Sequence, residues 1–290
     1  MSCKIAGPDF ICVGMGSAGS GWLWDQMRYH PDFWMPPIKE FGYLLGRGNN
    51  EVKSRRYDGI YANLKKCANW ANRRPGDTRD REFMDEAIAA FEEPIDMDRY
   101  VSFFRFKEDV LSGEVTPGYA RLDESILAQI AKRLPDTKII LLVRDPIDRA
   151  WSRITKRVRK GLIGRAVLED RDALLEFLDG RKMGEAWFPS QIAAAWRKHA
   201  PAMSMRHYFF DDIAKQPDYV RAEIFSYIGA DAAKSSGELV AGHNRKEQSE
   251  KLLPSEGVKA ALTEYFGEEL HACAHLFGGA AEGWAAKYGM

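Results

Sequence analysis

Net charge is the first thing this chain of 290 residues lacks, because 42 Lys and Arg are matched by 42 Asp and Glu. Partners that are themselves polyanions usually leave a basic excess, so neither a nucleic acid nor a membrane surface is expected. Cysteine is scarce too. Cys3, Cys12, Cys67 and Cys273 are scattered, without the spacing of a metal site or a disulfide framework, and are expected to be reduced thiols of a cytoplasmic protein. No metal is expected. The N-terminus holds Lys4 and a short apolar strand but no apolar core of a secretory signal. No uninterrupted apolar stretch approaches the roughly 20 residues of a membrane span. Repeats, low-complexity tracts and linkers are also missing. One domain over residues 1–290 is expected, with a polar insertion around 47–105 where Arg55, Arg56, Lys65, Lys66, Arg73 and Arg74 stand among small residues.

What is present is concentrated in two segments. Gly14 to Trp22 reads Gly-Met-Gly-Ser-Ala-Gly-Ser-Gly-Trp, after the apolar run Phe10–Val13 and before a helical pattern that ends at His30-Pro31. A strand, a glycine turn and a helix start make an anion pocket, since backbone N–H groups converge where the helix end is partly positive. Gly14 and Gly19 have the separation of a Walker motif, but Ser20-Gly21 stands where that motif needs Lys-Ser/Thr. ATP-dependent phosphoryl transfer therefore loses its main electrostatic parts, which argues against a kinase. The glycines alone also suit a plain tight turn.

The second segment follows Lys138–Val143, a continuous apolar run expected of a central parallel strand. Arg144 ends it; Asp145-Pro146 supplies an N-cap and a first-turn proline, with Asp148 behind. Ser152 lies two helical turns further on. A guanidinium and a hydroxyl suit a second phosphate, although a surface arginine at an ordinary connection has the same pattern. Helices are expected near 123–134, 191–199, 219–228 and 255–277, and a strand at 205–210. Alternating strands and helices give an α/β fold with a central parallel sheet flanked by helices.

Taken in order, these segments resemble the sulfotransferases that use 3′-phosphoadenosine 5′-phosphosulfate (PAPS). The likeness rests on the strand, glycine loop and helix ending His30-Pro31; on Lys39-Glu40-Phe41; and on Glu114-Val115-Thr116-Pro117-Gly118-Tyr119. It continues through Arg144-Asp145-Pro146 with Arg149 and Ser152, and Tyr208-Phe209-Phe210-Asp211-Asp212. The resemblance implies a P-loop-like three-layer fold. It also implies that Ser17, Ala18, Gly19, Ser20, Gly21 and Trp22 hold the 5′-phosphosulfate and that Arg144 and Ser152 hold the 3′-phosphate. A loop with Asn244, Arg245 and Lys246 is the candidate cover over the nucleotide. Glu40 is the candidate base that deprotonates a hydroxyl or amine of a small-molecule or carbohydrate acceptor; His207 and His243 are its alternates. Adenosine 3′,5′-bisphosphate (PAP) would be the product.

Two departures stand out. Ser17 and Val115 are neutral where this family often has cations, and each lost partner costs the transition state a few kcal/mol, on the order of 3. Lys39 is the expected replacement, with Arg245 or Lys246 as alternatives. The remaining possibility is a module that binds PAPS or PAP with little turnover. Arg153, Lys156, Arg157, Arg159, Lys160 and Arg165 continue the helix after Ser152, as a solvated basic face or as a funnel for anions. Nothing in the sequence speaks to oligomeric state.

Overall fold

In a computed structural model, the run Phe10–Gly14 is β1, an inner strand of a four-stranded parallel sheet. The structure describes residues 7–46, 78–180, 188–234, 239–242 and 252–290, together with 59, 62 and 65. Gly113–Val115 is β2, Lys138–Val143 is β3 and Met205–Phe209 is β4, in the order β2-β1-β3-β4. Every pairing is parallel, with Cys12 opposite Val115 and Ile140 opposite both Cys12 and Arg206. Parallel strands need helical crossovers that cover both faces. Accordingly Ile139 to Val143 are all buried, and the strand reads as one apolar run rather than an alternation.

That order has a consequence for function. From β1 the chain leaves to β2 on one side, then returns to β3 on the other. The carboxyl ends of β1 and β3 therefore flank the switch point of the sheet, where open α/β folds leave a crevice for ligands. The glycine loop follows β1, and Arg144 follows β3.

Helices α1 (Ser20–Arg28), α2 (Arg79–Ala90), α3 (Met97–Ser102) and α4 (Glu124–Arg133) come before β3. After it come α5 (Pro146–Arg159), α6 (Arg171–Gly180), α7 (Pro189–His199), α8 (Phe210–Lys215), α9 (Pro217–Ile228), α10 (Glu256–Phe277) and α11 (Trp284–Lys287). No helix among the described residues is long and apolar enough to cross a membrane.

The stretch 47–105, expected as a polar insertion, departs from that expectation in its second half. Phe83, Met84, Ala87 and Ala90 of α2, then Phe91, Tyr100, Phe103 and Phe104, are all buried. Their rings close on Phe41, with centroids 5.1 Å away for Phe83 and 5.0 Å for Phe103, both edge-on. The polar residues of α2 mask this pattern in composition, because its apolar positions recur at helical spacing on one face. The aromatic cluster fixes the segment that carries Lys39 and Glu40.

His30, at the end of α1, is buried against Phe225, with ring centroids 4.7 Å apart. Its Nδ1 accepts from the Asp32 N–H at 3.2 Å, and its Nε2 lies 3.2 Å from the Asp231 carbonyl. Burial lowers its pKa, so the unfolded chain binds the proton more tightly and acid favours unfolding. Urea unfolding is therefore expected to show stability falling as pH drops from 7.5 through about 6.5. A His30→Gln variant should flatten that part of the profile; an unchanged slope would assign it to other groups.

Candidate functional site

The loop after β1 is built by the backbone. Met15 N–H donates to the Leu142 carbonyl at 2.9 Å, and Ala18 N–H returns to the Met15 carbonyl at 3.2 Å. Ser17 and Gly19 turn the chain through left-handed backbone, at φ 68° and 98°. Gly19 is required twice over, because a Cβ there would also come within 2.9 Å of Ile213 Cδ1. Helix α1 starts at Ser20 with no side-chain cap, and its first bond runs from Leu23 N–H to the Gly19 carbonyl at 3.0 Å. The N–H groups of Ser20, Gly21 and Trp22 precede that bond, at the positive end of the helix.

From β3, Arg144 reaches back to the same loop. Its Nη1 donates to the Ser17 carbonyl at 3.0 Å, and its guanidinium lies 4.4 Å from the Phe210 ring centroid. Burial lowers its pKa, opposed by Asp148, Asp145 and Asp211, yet an arginine stays charged near neutrality. Asp145 caps α5, accepting from the N–H groups of Ile147 and Asp148 at 2.9 and 3.3 Å. Its second oxygen accepts from the Tyr288 hydroxyl at 2.8 Å and the Lys287 ammonium at 3.0 Å. Lys287 also bonds Asp148 at 2.6 Å. The chain's C-terminal end thus pins the start of α5, a role with no local sequence signal.

The loop, α5 and the Lys39 segment surround one cavity of about 1350 Å³. Ser17, Gly19, Ser20, Gly21, Trp22, Lys39, Glu40, Arg144 and Ser152 all line it, so residues chosen from three separate segments are brought together. Ala18 is buried beneath the loop instead. Asn244, Arg245 and Lys246 lie outside the described residues, as does His243. Ala241 and Leu252 do line the cavity, held by Trp22 Nε1 at 2.6 Å and Trp151 Nε1 at 2.7 Å through their carbonyls.

Glu40 has left-handed backbone at φ 60°, a conformation a non-glycine residue keeps only where its surroundings impose it. Ile38 and Phe41 are buried on either side, and two residues on, Gly42 N–H donates to the buried Glu114 carboxylate. The Lys39 ammonium bonds Glu40 Oε1 at 3.1 Å and lies 4.0 Å from where a Gly21 Cβ would stand. A cation and a carboxylate therefore sit beside the helix start. Among the described residues no histidine lines the cavity; His207 packs on Phe209 and Phe277 instead. Val115 is buried and Ser17 is on the wall. Arg121 and Arg153, given no separate role from sequence, also line the cavity. Among the described residues no group of three or more His, Cys, Asp or Glu could hold a metal ion.

The glycine loop and Arg144 face each other across the switch point, where open α/β sheets leave a crevice for ligands. The model of the sulfotransferase domain family matches residues 90–253, more than half of the 290 residues, and the chain belongs to that family. The matched stretch includes Arg144 and Ser152; the glycine loop, Lys39 and Glu40 precede it. A solved structure, that of a sulfotransferase from Alicyclobacillus acidocaldarius, is similar with a TM-score of 0.61 at 18% identity. The likeness spans 96% of this chain and 98% of that one, and at such identity it speaks for the fold. A search of curated proteins finds no match. Family membership supports sulfuryl transfer in general.

Proposed function

We propose that the protein moves a sulfuryl group from PAPS to a hydroxyl or amine of a small-molecule or carbohydrate acceptor, in a single in-line step. The observation that carries this is the meeting, in one cavity, of the loop amides, Arg144 with Ser152, and Lys39 with Glu40. In this assignment Ser17 to Trp22 bind the 5′-phosphosulfate through backbone N–H groups. Arg144 and Ser152 bind the 3′-phosphate. Asn244, Arg245 and Lys246 are assigned to cover the nucleotide. Glu40 takes the acceptor proton while the acceptor oxygen or nitrogen bonds to sulfur. The bond from sulfur to the 5′-phosphate oxygen breaks, and its electron pair leaves with PAP. Lys39 and the helix start stabilise the negative charge of the sulfuryl oxygens and departing phosphate. No metal enters the step.

The family match and the switch-point geometry support this reading. Ser17 and Val115, neutral at positions often cationic in the family, favour one rival, a module that binds PAPS or PAP with little turnover. The first test is calorimetric titration with PAP in the absence of magnesium. Saturable binding is expected, and Arg144→Ala should weaken it roughly 100-fold, the loss of charged hydrogen bonds to phosphate. A parent that shows no saturation sinks the assignment. Radiolabelled sulfate transfer to a panel of acceptors then separates enzyme from binding module.

A further inference from the structure

Ser17 and Val115 leave the loop and the end of β2 without a cationic side chain of their own. The structure brings one in from α5. A Cβ built on Gly16 would lie 2.7 Å from Arg153 Nη1 and 3.8 Å from Pro117 Cβ. The tip of the guanidinium therefore rests on the bare face of Gly16, next to the turn that follows β2. Because β1 and β2 run parallel with Cys12 opposite Val115, this point adjoins both neutral positions. Arg153 follows Ser152 directly in the chain and lines the same cavity. The charge at this point comes from the neighbouring helix α5.

We infer that Arg153 is a further catalytic group, which donates hydrogen bonds to the terminal oxygens of the sulfuryl group as the sulfur–oxygen bond breaks. This rests on the sulfuryl-transfer assignment proposed above. The electrostatics agree with it. Burial lowers the pKa of Arg153, as do the like charges of Arg121 and Arg157, while Glu40 raises it. A crowded set of guanidinium groups is relieved when an anion enters. The influence of Glu40 places the cation within electrostatic reach of the base candidate. Gly16 gains a reason as well: any larger residue there would push the guanidinium away from the loop.

PAPS and PAP differ by the sulfuryl group alone, so their affinities separate a contact to that group from a contact to the nucleotide. Calorimetry on the parent, Arg153→Gln and Arg153→Lys is the test. The glutamine variant is expected to bind PAP within about threefold of the parent but PAPS at least about tenfold more weakly, with lysine restoring much of the difference. Gly16→Ala, which retains Arg153 but displaces its tip, should give the same selective loss. Equal weakening for both nucleotides, or no weakening, would overturn the inference. Should Arg153→Gln fail to fold, Gly16→Ala decides alone. A parent that binds neither nucleotide refutes the sulfuryl-transfer assignment itself. A parent that binds both, with variants that keep the parent's ratio of PAPS to PAP affinity, refutes only the role of Arg153.

Discussion

Replacing Glu40 by glutamine is expected to slow sulfate transfer by about 10²- to 10⁴-fold, the usual contribution of a positioned general base, with PAP affinity almost unchanged. The substitution conserves shape and removes the ability to accept a proton. Glu40 lies on the cavity wall and bonds Lys39, whose ammonium stands beside the Gly21 helix start. Asp148, by contrast, is engaged by Lys287 at 2.6 Å. The Glu40 side chain is 52% exposed, open enough for an acceptor to reach. Its ion pair with Lys39, being exposed, is worth only about 0–1 kcal/mol, so losing it explains little of a large fall in rate. Single-turnover transfer of labelled sulfate at saturating PAPS is the measurement. A variant as fast as the parent would remove Glu40 from the proton transfer. A variant that lost PAP binding in step with rate would show that the charge serves the nucleotide pocket.

The parts of this site that were legible in sequence are those whose geometry is local. Lys138–Val143 has the bounds expected for β3 because a strand covered on both faces is apolar along its buried length, here Ile139 to Val143. Asp145 and Pro146 fill the cap and first-turn positions expected of them, since capping is decided within a single turn. The glycine loop is similarly self-contained. What stayed hidden depends on residues distant in sequence. Arg153 reads as one more charge on a basic face; only the fold sets its tip against Gly16, 137 positions earlier by residue number. Lys287 and Tyr288 reach Asp145 across a similar distance. β2 is just three residues, Gly113–Val115, too short for periodicity, and its middle residue is a buried glutamate. Composition also concealed the aromatic core of residues 83–106, since the charged side chains of α2 are interspersed among its buried positions.

Replacing Glu114 by alanine is expected to cost the fold about 3–5 kcal/mol, a relaxed fraction of what several buried donors lose with their shared acceptor. Glu114 is buried and receives four hydrogen bonds, from Gly42 N–H and the Thr116 hydroxyl on one oxygen and from the Tyr100 and Tyr119 hydroxyls on the other. Tyr119 in turn accepts from Leu44 N–H at 3.2 Å. Glu114→Ala leaves those buried donors facing a void, each at a cost of roughly 1–3 kcal/mol before any relaxation. Glu114→Gln keeps the volume and one carbonyl, so urea unfolding should show a smaller loss. The pH dependence gives a second handle. Burial raises the pKa of Glu114, against the lowering effect of its hydrogen bonds. The folded state therefore holds the proton more tightly than the unfolded chain, and the contribution of this group is full below the unfolded carboxylate range. It is lost as pH rises through the raised value. The stability difference between parent and Glu114→Gln should narrow as pH increases from the acid side toward neutrality; a difference that widened would mean the ionised form is the favoured one. The same network holds Gly42, two residues from Glu40, so the glutamine variant should transfer sulfate more slowly at unchanged PAP affinity. Slower transfer of that kind would connect the buried glutamate to the exposed one through the backbone between them.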